Sequence, residues 1–276
     1  MNKTFRDTLD VIWYLVAFYL IQYIMMFAVG IGSNLATGKP LMDAFKGAAM
    51  LNGNLLVLMM LFSSILTILI FGQFRWSPWS RDYLRSHPWG VVFWTAVLSL
   101  GTILPSEWLL ESLQVQMPEQ YEKFFEEAMG TPMGYIVIGV LAPVAEEMCF
   151  RGAILRKLLT MFSKKQHWIP IVVSAIIFGL VHVNVPQFIH ATVIGLIMGW
   201  LYYRTDSIFP GVVFHWMNNT VAFIMFNLMP EINDGKLIDL FHGNTRVMVM
   251  GLICSVIIML PAFFQLNQRM KRAKES

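Results

Sequence analysis

Residues 131–152 read Thr131-Pro-Met-Gly-Tyr-Ile-Val-Ile-Gly-Val-Leu-Ala-Pro-Val-Ala-Glu-Glu-Met-Cys-Phe-Arg-Gly152. The stretch is apolar and long enough to cross a bilayer, yet it carries two adjacent carboxylates and an arginine. A charge at the bilayer centre costs at least ~2.5–3.5 kcal/mol on insertion scales, so ionisable residues in a span point to function. The spacing separates the two acids. Glu147 and Arg151 are four apart and share a helix face, which suits an ion pair. Glu146 lies about 100° further round, which leaves it for chemistry. Pro143 frees a backbone carbonyl three residues earlier and predicts a kink beside the pair.

Outward from this stretch the chain remains apolar. Of 276 residues, 57% are hydrophobic and 13% are charged. Soluble domains carry about 25% charged residues, so this chain has too little polar surface to coat a water-facing globule. Apolar segments of roughly spanning length lie near 11–30, 54–73, 90–109, 132–154, 169–185, 187–203, 209–229 and 247–266. The fold class expected is therefore all-α, a polytopic membrane bundle of about eight transmembrane helices. Three regions follow: residues 1–130 with the first spans and an acidic outer loop, 131–230 as a catalytic core, and 231–276 as a last span and basic tail. The first apolar run is longer than a signal-peptide core and lacks a small-x-small cleavage site, so it reads as an uncleaved span.

Eight spans put both termini on one side of the membrane. On that side fall Lys3, Arg6, Arg75, Arg81, Arg85, Arg151, Arg156, Lys157, Lys164, Lys165, Arg204, Arg269, Lys271, Arg272 and Lys274. Lys39, Lys46, Lys123, Lys236 and Arg246 fall on the other, and together these are all 20 basic residues. The acidic stretch 107–127 lies with the minority. By the positive-inside rule both termini are cytoplasmic. The net charge of +3 is thus a topology signal, and no nucleic-acid partner is expected. Cys149 and Cys254 sit in apolar runs and read as buried apolar residues rather than disulfide partners.

Two later segments repeat the pattern of polar groups in apolar helices. Phe178-Gly-Leu-Val-His182 places a histidine one turn after a phenylalanine. His215-Trp-Met-Asn-Asn219 places an imidazole and a carboxamide on one face, with Asn218 on a different face as an ordinary polar residue. His190, just after Pro186, is expected at the membrane interface. Ala191, Gly195 and Gly199 repeat every four residues, a close-packing stripe. His87, His167 and His242 fall in loops.

Glu146, His182, His215 and Asn219 supply what hydrolysis of an amide by water needs. A desolvated carboxylate can take a proton from water, and a histidine can position that water. A neutral histidine and an asparagine can donate to the tetrahedral oxyanion, worth roughly 3–4 kcal/mol per donor in known cases. No Ser or Cys comes with an evident base, which favours direct attack by water. Glu146, His182 and His215 also make a recognised zinc set, although His-Glu-x-x-His is absent; metal-dependent and metal-free chemistry both stay open. One difficulty attends straight parallel spans. Glu146 and His215 would lie about 10–12 Å inside the cytoplasmic boundary and His182 about 20 Å inside, a gap of about 8–10 Å.

The three motifs in this order, Glu146-Glu147-x-x-x-Arg151, Phe178-x-x-x-His182 and His215-x-x-x-Asn219, resemble the CAAX prenyl protease and bacteriocin-processing family. Residues 195–207 (GLIMGWLYYRTDS) add to the resemblance, which covers about 130–220. It implies an intramembrane endopeptidase in which Glu146 is the essential glutamate and His182 activates water. His215 and Asn219 would stabilise the oxyanion. It further implies a membrane-associated peptide or protein substrate, the lipid bilayer as surroundings, and a bacterial plasma membrane as location. Two other readings compete: a non-catalytic membrane scaffold of the same fold, and a proton-coupled transporter, for which no inverted repeat is visible.

Overall fold

The computed structural model describes residues 2–46, 52–229 and 236–270. Lys271, Arg272 and Lys274 of the basic tail lie outside the described residues. In chain order the helices are α1 (Lys3–Thr37), α2 (Gly53–Gln73), the short α3 (Arg81–Arg85), α4 (Trp89–Ser112), α5 (Glu119–Met129), α6 (Pro132–Leu159), α7 (Trp168–Leu180), α8 (Val185–Thr205), α9 (Phe209–Leu228) and α10 (Thr245–Arg269). No strand occurs among the described residues. The protein is all-α and polytopic, and each of the eight apolar segments coincides with a helix.

Six of these helices, α1, α2, α4, α6, α8 and α10, are long and apolar enough to cross a membrane. The count of eight is not reached, because α7 and α9 fall short for different reasons. α7 has 13 residues, about 20 Å of helix against ~30 Å of hydrocarbon. α9 has 20 residues, but His215, Asn218, Asn219 and Asn227 dilute its apolar character.

The chain divides into two compact units, Met1–Pro78 with Pro118–Ser163, and Trp79–Met117 with Lys164–Ser276. In the first unit α1, α2, α5 and α6 pack together. Where α5 meets the start of α2, a Cβ at Gly53 would overlap the side chain of Glu127. Two polar clamps hold the far end of α6. Arg156 donates to the carbonyls of Gly152 at 2.9 Å and Trp76 at 2.7 Å. Lys157 lies 2.8 Å from Asp10 and 3.5 Å from the buried Asp7 of α1.

In the second unit α4 packs along α10, and α7 along α8. Small residues permit both approaches, as in membrane helix pairs generally. A Cβ at Gly101 of α4 would come within 2.8 Å of the Met259 side chain. The expected stripe on α8 is buried: Ala191, Gly195 and Gly199 all face inward. Arg204 donates to both the side chain and the carbonyl of Asn267, fastening α8 to α10.

Candidate active site

In the first unit the site residues lie on α6, which is not a uniform α-helix. It widens to π-type turns over Tyr135–Leu141 and Met148–Leu155, with an α-helical segment, Ala142–Glu147, between them. Such insertions recur at functional sites. Pro143 stands at the start of that segment, where its missing N–H suits the break in the ladder. The helical pitch is altered on either side of the acidic pair.

Arg151 donates from Nη1 to Oε1 of Glu147 at 2.6 Å, and both side chains are buried, at 1% and 0% exposure. The i,i+4 pairing expected from the sequence is formed. A pair this deep contributes little net stability, since desolvation offsets the attraction, but losing one partner strands a charge. Glu146 is half-buried and turned elsewhere. Together with Gln22, Ser63, Ser64 and Thr67 it lines a cavity of about 60 Å³, which Phe18, Met60, Ala142 and Ala145 close. That is room for water. The carboxyl group therefore faces a polar recess built mainly by α1 and α2.

In the second unit the imidazoles come from a hairpin and its neighbour. α7 ends at Leu180, and the turn that follows carries His182 before α8 begins at Val185. Three features shape this turn. Gly179 lets α8 approach so closely that a Cβ would overlap Thr192 Oγ1 and stand 2.7 Å from the Phe188 carbonyl. Val183 adopts a left-handed φ of 62°, a rare conformation for a β-branched residue. Asn184 accepts from the Gln187 N–H at 3.0 Å, capping α8, and donates to the His182 carbonyl at 3.0 Å and to Gln187 Oε1 at 2.6 Å.

His182 Nδ1 lies 2.9 Å from the Phe178 carbonyl, so the imidazole closes the end of its own helix. The Phe178 ring then meets both histidines edge-on, His182 at a centroid distance of 5.1 Å and His215 at 5.8 Å. His182 and His215 thus share one aromatic neighbour. His182 belongs to a turn after a short helix rather than to a full crossing. His215 is buried, and its helix is fixed from α4, where Ser99 Oγ donates to the Phe214 carbonyl at 2.9 Å.

Two residues given ordinary readings join this cluster. His190 is half-buried, with Nε2 3.3 Å from Asn218 Nδ2. Asn218 in turn donates to Asn219 Oδ1 at 3.3 Å. The adjacency of Asn218 to Asn219 was a visible signal. Its pairing with His190 depends on the approach of α8 to α9, which no local pattern encodes.

The structure thus groups Glu146, Glu147 and Arg151 in one unit, and His182, His215 and Asn219 in the other. Among the described residues no three His, Cys, Asp or Glu side chains are grouped so as to hold a metal ion, and no step below is routed through one.

Comparison with known proteins converges on the same stretch. Residues 129–221 match the model of the family described as type II CAAX prenyl endopeptidase Rce1-like. A Bacillus subtilis (strain 168) protein named "Putative membrane peptidase YdiL" is 29% identical over 107 residues, which is 39% of this chain and 43% of that protein. The match spans less than half the length of this relative. No solved structure matches. All six site residues fall inside the matched stretch, and over it the chain is similar to the type II CAAX prenyl endopeptidase Rce1-like family.

Proposed function

We propose that this integral membrane protein is an endopeptidase that hydrolyses a peptide bond of a membrane-associated peptide or protein by attack of water. Glu146 accepts the water proton as the oxygen adds to the scissile carbonyl, and His182 positions the water. His215 and Asn219 donate to the oxyanion of the tetrahedral intermediate. Collapse of the intermediate breaks the C–N bond, and the proton held by Glu146 passes to the leaving amine. Glu147 and Arg151 fix the helix that carries Glu146. Both termini are cytoplasmic, a reading supported by the excess of basic residues on that side.

The observation that carries the proposal is the division of labour on α6. Of two adjacent buried-span acids, Glu147 is locked to Arg151 while Glu146 lines a recess with room for water. A carboxylate beside a recess that can hold water is placed to take a proton from that water.

The test is cleavage of a fluorogenic peptide by protein reconstituted in liposomes, with prenylated and unprenylated peptides in parallel arms. Glu146→Gln should lower kcat at least ~100-fold, the usual contribution of a positioned base. Cleavage before and after chelation, with elemental analysis for zinc, separates the metal-dependent from the metal-free form of this chemistry. Unchanged turnover by Glu146→Gln would overturn the assignment.

A further inference from the structure

We propose that His190 is a positioning residue that sets the orientation of the Asn219 carboxamide through Asn218. The inference rests on the oxyanion role given to Asn219 above, and it adds a residue from α8 that none of the three motifs contains.

The geometry runs in one direction. The Asn218 amino group lies 3.3 Å from His190 Nε2 and 3.3 Å from Asn219 Oδ1. An amide NH₂ has two protons and no lone pair to accept with, so it can serve both neighbours only as donor. In this amide orientation His190 Nε2 accepts and the ring carries its proton on Nδ1. That Nδ1 is buried and has no hydrogen-bond partner among the described residues. A buried histidine held with one nitrogen unsatisfied is a cost to the fold, and such groups call for an explanation.

The explanation is the orientation of two amides. A carboxamide can turn over about its last bond and exchange oxygen for nitrogen, and only its hydrogen bonds choose between the two states. The lone pair on His190 Nε2 selects the state of Asn218 that presents NH₂. That NH₂ selects the state of Asn219 that presents Oδ1 to it, which fixes the side on which Asn219 offers its own NH₂. Were Nε2 protonated, Asn218 would turn its oxygen toward His190 and lose its hold on Asn219. The donor needed for the oxyanion would then be present in only a fraction of molecules. Preorganisation of this kind acts on the transition state rather than on substrate binding.

The kinetic test is a cycle in the reconstituted protein. His190→Phe, which keeps an apolar ring and removes the acceptor, should lower kcat about tenfold with KM unchanged. His190→Gln, whose carbonyl can accept from Asn218, should recover most of that loss. In the Asn219→Ala background His190→Phe should have no further effect, because residues acting as a unit are not additive. A rise in KM alone, failure of the glutamine rescue, or a full tenfold loss on top of Asn219→Ala would each overturn the proposal.

A second measurement does not need activity. With ¹⁵N-labelled histidine in detergent-solubilised protein, the resonances lost in His190→Gln should report Nδ1–H with Nε2 unprotonated. The opposite tautomer would refute the relay even if the protein cleaves peptides. Wild-type-like turnover by Asn219→Ala, with the expected tautomer present, would instead remove the oxyanion role itself and leave nothing for His190 to position.

Discussion

The two units solve the same problem differently. Both embed polar side chains in apolar helices, but the first holds a carboxylate–guanidinium pair and the second gathers imidazoles and carboxamides. On α6 the charges are paired within one turn of the same helix, Arg151 on Glu147 at 2.6 Å, and are withdrawn from solvent. In the second unit imidazoles and carboxamides are spread over α7, α8 and α9 and linked by contacts of 2.9 to 3.3 Å and by a shared phenylalanine. A charge in low dielectric needs its partner delivered by covalent proximity, since a stranded ion is very costly. Neutral polar groups tolerate looser pairing, so tertiary contacts suffice to collect them.

That contrast can be broken most forcefully at Arg151. Arg151→Ala removes the buried counter-charge of Glu147, and should destabilise by about 3–5 kcal/mol. Thermal unfolding in detergent should show it, and Glu147→Gln combined with Arg151→Met should recover much of the stability. If Arg151→Ala unfolds like wild type, the pair is not the lock on α6 described here.

The second unit should break through packing instead. Gly179→Ala forces α7 and α8 apart at Thr192 and Phe188, at a cost of about 1–3 kcal/mol. His182 should move with the turn, so kcat should fall more than stability alone explains. A smaller effect of opposite sign is expected next door. Val183→Gly relieves a left-handed β-branched residue whose side chain is exposed and should stabilise by about 1 kcal/mol. Its signature is a small rise in Tm.

The smallest effect sharpens the comparison by control. Lys123 and Glu119 on α5 form an i,i+4 pair at 2.8 Å with both side chains exposed. The pair depresses the Glu119 carboxyl and raises the Lys123 amine, chiefly through their mutual hydrogen bond. Water screens such pairs, so Lys123→Ala should leave Tm unchanged. The same spacing that matters on α6 should be silent on α5.

What the sequence discloses follows from how local each feature is. The apolar runs give the helices, and four-residue spacing gives the Glu147–Arg151 pair, since both are properties of a single element. The end of α7 is hidden because its turn is itself apolar. Leu180, Val181, Val183 and Val185 continue the hydrophobic run, and only Asn184 and Pro186 mark the break. The His190–Asn218 contact lies further out of reach, because it requires knowing which face of α8 meets α9. Both failures concern neighbours in space, and both fall in the unit whose polar groups are gathered by tertiary contacts.

The brevity of α7 has a consequence for the lipid. A 13-residue rod is about 10 Å shorter than the hydrocarbon layer. A mismatch of that size is relieved by thinning the surrounding leaflet or by ending the rod below the headgroups. Thinning brings bulk solvent nearer to the imidazole at its tip, whereas ending below the headgroups leaves that imidazole beneath the surface. Membrane thickness thereby becomes a variable that turnover should sense, with short-chain lipids and long-chain lipids giving different rates from the same polypeptide.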